Sequence, residues 1–117
     1  MKVSYHPDFP KDIKRFEAQY REVSERLALR FRGAVDDAIE QIAASPGSAG
    51  HFVNTGSRIV TEVRRRNLSL FPFFILYGVS GDMLVFRSLI ASASDPLTWL
   101  KRFPEATAGE PPDGGTK

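Results

Sequence analysis

Val63-Arg64-Arg65-Arg66-Asn67-Leu68-Ser69-Leu70-Phe71-Pro72-Phe73-Phe74-Ile75-Leu76-Tyr77 is the stretch on which the reading of this chain turns. It places a strand that ends in three arginines before a short turn. Phe71-Pro72-Phe73 then leads into a second strand, Phe73–Val79, which is apolar at both parities. Alternation in only one register marks a strand with one wet face, whereas apolar residues at both parities mark a central strand covered on both. Upstream, β-branched residues extend the first strand back to Ile59, giving Ile59–Arg65. Downstream, Ser80-Gly81-Asp82 supplies a tight turn with Gly for positive φ, and Met83–Ala91 returns as a third strand. The second half is therefore expected to be a three-stranded antiparallel meander.

The first half has helical period. After a short strand at Lys2–Tyr5, Phe9, Ile13, Phe16 and Tyr20 recur at spacings of four, three and four, with charged residues between them. Asp8 is the expected N-cap, with Pro10 in the first turn. A second helix is expected from Ser24 as cap, with Glu25 in the positive end of the helix dipole. Its stripe is Leu27, Phe31, Ala34, Ala38 and Ile42, flanked by Val35 and Ile39, and Pro46-Gly47 ends it. Gly47–Ser57 reads as a loop. Asp95-Pro96 opens a short C-terminal helix, Leu97–Phe103, in which Trp99 reads as a core anchor. The Pro/Gly-rich 104–117 lacks the apolar surface to offset its ordering entropy and is expected to be a disordered tail. The expectation is thus an α+β domain over 1–103, in the order β-α-α-β-β-β with a short C-terminal helix, the helical hairpin packed on one face of an antiparallel sheet. Two helices cover only one face, so the other should be an apolar groove or be covered by something else.

Composition narrows the function. With 117 residues the chain fits one domain, and 42% hydrophobic residues, nine Phe among them, provide one modest core. The absence of Cys excludes disulfide and Cys-based zinc sites. The N-terminal residues lack a leader's apolar run and no stretch is long enough to span a membrane, so a cytoplasmic protein is expected. Residues 58–104 carry seven basic and three acidic residues, whereas 1–57 are balanced and 105–117 are net acidic. A local positive field suits an acidic partner. No Gly-rich phosphate loop is present; His6 and His51 lack metal-ligand spacing; Asp36-Asp37 reads as a solvated helix face. Ser24, Ser45 and Ser57 have no nearby base in sequence, and no catalytic residue, metal or cofactor is expected. Arg64, Arg65 and Arg66 must project to both faces of their strand, which puts positive charge at the sheet edge. Arg87, read as sharing a face with Val85 and Leu89, should pair with an acid from a partner or snorkel. Lys101 and Arg102 close the last helix, where cations suit the dipole.

The order of these motifs resembles the RelE/ParE toxin superfamily, most closely its ParE-like branch. The basic strand end, Phe71-Pro72 and an aromatic residue, the strand ending in Tyr77, the Gly81-Asp82 turn, and Asp95-Pro96 with Trp99 and Arg102 carry the likeness. So do His6-Pro7, Tyr20, Phe31 and Ala44-Ser45-Pro46, so that it spans residues 2–103. The sequence departs from that pattern at Ala91 and Ser94, where His and Arg are common. Phe74, Ala93 and Trp99 stand nearest the RelE-type ribonuclease residues, and none of the three can move a proton as that chemistry requires. The resemblance implies a toxin that binds its target rather than cutting RNA, with DNA gyrase as target; a ribosome-dependent mRNA endonuclease and a non-toxic antitoxin-binding module are the alternatives. It implies a hetero-oligomer with an acidic antitoxin that folds on binding. Phe9, Phe16, Tyr20, Arg87 and Leu89 are the expected antitoxin contacts. Arg64, Arg65, Arg66, Arg87, Lys101 and Arg102 are the expected target contacts.

Overall fold

The computed structural model describes residues 1–53 and 62–93, with the backbone alone at His51 and Phe52. Seven elements follow in order: β1 (Lys2–Tyr5), α1 (Asp8–Arg21), α2 (Glu25–Ala44), β2 (His51–Val53), β3 (Glu62–Asn67), β4 (Phe73–Ser80) and β5 (Met83–Ala91). The sheet order is β1-β5-β4-β3-β2. The expected α+β architecture holds, with two refinements. β1 pairs parallel to β5, not antiparallel, in register from Lys2↔Met83 to Tyr5↔Phe86. The helical hairpin carries the chain across one face to the far edge of the sheet, and the antiparallel run β2-β3-β4-β5 brings it back beside β1 in the same direction. Second, the presumed loop Gly47–Ser57 contains β2, which pairs antiparallel with β3 through His51↔Arg65 and Val53↔Val63. Three residues are too few to show a period, so only the pairing reveals that strand. The C-terminal helix, the tail and the start of the Ile59 strand lie outside the described residues; β3 runs on to Asn67.

Local chemistry sets the helix ends. Ser24 Oγ accepts from the Leu27 N–H at 3.0 Å, the N-cap expected of it. Asp8 is not a cap. Pro7 holds that position with φ −56°, already helical, and Asp8 begins the helix. The Asp8 N–H donates instead to His6 Nδ1 at 3.1 Å, so the imidazole satisfies a donor that the helix start leaves orphaned. On α2 the sealed stripe is Ala28, Phe31, Val35, Ala38 and Ile42, turned by one residue at two positions from the expected stripe. Leu27 and Ala34 are only half-buried on its flank. Two alanines in the sealed row reflect a helix that meets both α1 and the sheet.

Phe73, Ile75 and Tyr77 of β4 point to the helices and share one core with Phe9, Ile13, Phe31, Val35, Leu84, Phe86 and Leu89. Aromatic contacts tie the layers together: Phe16 meets Phe73 at 4.6 Å, Tyr20 meets Phe31 at 4.9 Å, and Phe31 meets Phe71 at 5.4 Å. The alternate residues Phe74 and Leu76 join Val63 and Ile90 in a second cluster on the far face. None of these four is more than 6% exposed, so of the two expected outcomes it is the covered face, and not an open apolar groove, that these described residues show. Gly81, at φ +59°, begins the two-residue turn between β4 and β5.

The alternation of β5 is broken once. Leu76 pairs with Ser88 and Tyr77 with Phe86, which leaves Arg87 as the extra residue of a β-bulge. Val85 and Leu89 therefore lie on opposite faces, contrary to the uninterrupted period-two reading. Buried Asp12 of α1 accepts from the Leu89 N–H at 3.0 Å, two residues past the bulge. Replacing Asp12 with Ala strands that donor and should cost about 1–3 kcal/mol of unfolding free energy in urea titrations. Asp12→Asn retains an acceptor oxygen and should lose less than half as much; equal stability of Ala and wild type would contradict this role.

Candidate partner-binding surface

The three arginines of β3 divide by parity. Arg64 and Arg66 share the helix-side face, opposite Tyr77 and Ile75, while Arg65 shares the far face with Val63. Arg64 donates from Nε to Glu62 Oε2 at 2.8 Å and from Nη1 to the Gly50 carbonyl at 2.9 Å. Arg66 donates from Nη1 to the Ala49 carbonyl and from Nη2 to Gln41 Oε1. The Tyr77 hydroxyl donates to the Pro46 carbonyl at 3.2 Å. Together these groups tie the segment after α2 onto the sheet. Burial raises the Tyr77 phenol above its ordinary value, with Arg64 and Arg66 pulling the other way, so it serves as a neutral donor.

Gly50 makes that approach possible. A Cβ there would lie 2.5 Å from the Arg65 carbonyl oxygen and 2.7 Å from the Tyr77 hydroxyl. Thus Arg64 and Arg66, expected on sequence to face a target, are largely engaged in holding the chain to itself. Arg65 differs: its guanidinium lies over the Phe74 ring, 3.7 Å from the centroid, and Nη2 donates to Asn67 Oδ1 at 3.3 Å. Stacking holds the plane of the fork in place while leaving further donors for a carboxylate or phosphate.

Arg87, half-buried at the bulge, has its guanidinium pushed below the ordinary value by burial, yet the group stays protonated. Phe16 and Tyr20 are half-buried on the hairpin and keep edges within reach of a partner. Phe9 and Leu89 are corrected to core residues: each is 1% exposed, so both shape the hairpin surface from beneath. Helical and strand periodicity reports which face is inward but not whether an inward residue sits at the rim or in the centre, so it does not separate Phe9 and Leu89 from Phe16 and Tyr20. Lys101 and Arg102 lie outside the described residues.

Among the described residues no group of three His, Asp or Glu side chains could hold a metal ion, and no helix is long and apolar enough to cross a membrane. The surface offers cationic forks and aromatic edges, the equipment of a binding face. The tether of residues 46–50 escaped sequence reading; Gly50 and the alternating Arg64 and Arg66 are its only signal. Gly50→Ala should force the tether off the sheet and destabilise the fold by about 1–3 kcal/mol in denaturant titrations. An unchanged midpoint would show that the segment is not held there.

No family model matches the sequence, and no curated protein sequence matches it significantly. Solved structures do match. One, described as the chromosomal ParDE TA system from P. aeruginosa, superposes with a TM-score of 0.64 and 14% sequence identity, covering 78% of this chain and 95% of that one. At that identity the likeness is one of fold, and the chain has a ParE/RelE-like fold.

Proposed function

We propose that this chain is the toxin of a type II toxin–antitoxin pair, that it acts by binding DNA gyrase, and that a cognate acidic antitoxin holds it inactive. The ParE/RelE-like fold carries the reading, and the motif order over residues 2–103 supports it. In this account Arg65 and Arg87 face the target, with Lys101 and Arg102 completing the basic side. The antitoxin, disordered when free, folds along the hairpin at Phe16 and Tyr20, where apolar anchors supply most of the affinity. The protein works in the cytoplasm, arrests growth, and in a plasmid setting stabilises the plasmid. Binding rather than catalysis is favoured because Phe74, one of the positions nearest the ribonuclease residues, is a buried side chain under Arg65.

Induction of the chain from a repressed promoter should stop division within a few generations, and co-expression of a neighbouring gene with an acidic amphipathic tail should restore it. Purified protein should inhibit gyrase supercoiling in a dose-dependent manner. Unimpaired growth would contradict the toxin reading. Arrest with unaffected supercoiling at saturating protein would retain the toxin and remove gyrase as its target, and position-specific mRNA cuts would replace it with the ribosome.

A further inference from the structure

β1 forms one edge of the sheet, and every one of its residues is exposed. Its backbone is only half used. The Lys2 N–H donates to the Asp82 carbonyl and the His6 N–H to the Phe86 carbonyl, each at 2.8 Å. In a parallel ladder every second residue turns both its N–H and its C=O to the neighbouring strand, so Lys2, Ser4 and His6 face β5. Val3 and Tyr5 therefore turn theirs to the open edge. Their side chains are apolar and aromatic and stand 47% and 53% exposed.

Folded proteins blunt such an edge with a bulge, a proline, a charge or a covering group. This chain does so further along the same edge. β5 outruns β1 after the Tyr5↔Phe86 pair, and there buried Asp12 accepts from the Leu89 N–H at 3.0 Å. β1 itself contains no proline, its register to β5 is unbroken, and Lys2 is its sole charge. The Tyr5 ring stacks on Phe86 with centroids 5.2 Å apart, so the exposed side of Tyr5 has a fixed place.

We propose that two copies of this chain join edge to edge through β1, antiparallel about a two-fold axis at Ser4. In that register Val3 lies opposite Tyr5 of the second copy, and the two exchange both of their outward hydrogen bonds. A β-branched residue facing an aromatic one is a favourable cross-strand pair. Lys2 falls opposite His6 of the second copy, and the Asp8 carboxylate lies 3.6 Å from the His6 ring. Each end of the paired strands thus sets a cation beside a carboxylate, a charge match that β1 finds in its own copy. α1 packs over β5, with the Phe9 and Phe86 rings 5.5 Å apart. Three strand spacings of ~4.8 Å put the two β5 strands ~14 Å apart, wider than the ~8–10 Å between packed helices, so the two hairpins clear each other. The contact is isologous and closes on itself as a dimer. It is also small, so it forms at high protein concentration. The inference stands whether or not the chain is a toxin.

The test uses the full chain alone. Sedimentation velocity from micromolar to millimolar protein should pass from monomer to dimer. Ser4→Cys probes the axis: residues facing each other in a non-hydrogen-bonded pair have Cα atoms about 4.5 Å apart, within the ~4.4–6.8 Å that a disulfide spans, and the chain has no other cysteine. Under mild oxidation Ser4→Cys should cross-link at least ~tenfold faster than Val23→Cys, which is exposed between α1 and α2, because only the former thiols are held together. Val3→Pro deletes only an outward N–H, and Val3→Lys places a charge on the edge; each should stay monomeric at millimolar concentration with an unchanged circular dichroism spectrum. Should Val3→Pro fail to fold, Val3→Lys decides. A wild-type monomer at millimolar concentration, equal cross-linking of the two cysteine variants, or a dimer that survives Val3→Lys would each overturn the proposal.

Discussion

Everything in this fold depends on β4 being sealed from both sides. From Phe73 to Gly78 every residue is buried. On one side the hairpin covers Phe73, Ile75 and Tyr77, and on the other Phe74 and Leu76 pack with Val63 and Ile90. Each large apolar side chain fully buried here contributes about 1.5–3 kcal/mol relative to exposure, so this one strand anchors a large share of the core. Because the side-chain period of a strand is two, a slip of one residue would exchange the two clusters, and the register of β3 and β5 against β4 is correspondingly well determined. The bulge at Arg87 is the one place where the alternation is reset, and Asp12 reaches down from α1 to hold the backbone beside it.

That strand also decides what the arginines can do. Placed on a neighbouring strand, Arg64 and Arg66 fall over the tether between α2 and β2, and their donors go to its half-buried Gly50 and Ala49 carbonyls. Arg65, one residue out of phase, falls on the opposite face and rests on Phe74. Three identical side chains in a row are thereby divided into two that complete the fold and one that presents a fork outward. A positive run in a sequence is a statement about charge, and only the pleat assigns each member of the run its task.

Much of the architecture was legible in the residues. Both helices follow from their apolar stripes, the Ser24 cap from its position before Glu25, and the Gly81 turn and the both-faces burial of β4 from composition alone. What escaped has physical reasons. The parallel docking of β1 depends on where the hairpin returns the chain, which a four-residue strand does not encode. β2 is too short to show a period. The bulge at Arg87 is a one-residue insertion that no alternation rule anticipates, and it misplaced Val85 relative to Leu89. On the site, the residue types were readable but their partners were not: the Gly50 and Ala49 carbonyls lie 14 and 17 positions from the arginines that bind them.

Arg64 and Arg66 hold the chain to itself while Arg65, on the other face, presents its fork outward. The most direct measurement is a set of three single Ala variants, each followed for unfolding free energy in denaturant and for growth arrest on induction. Arg64→Ala and Arg66→Ala should each lose about 1–3 kcal/mol of stability, the scale of a charge-assisted hydrogen bond removed from a half-buried carbonyl. Arg65→Ala should lose less than about 1 kcal/mol, the scale of an exposed cation–π contact, yet abolish arrest. Arrest undiminished in Arg65→Ala, or stability unchanged in both of the others, would contradict it.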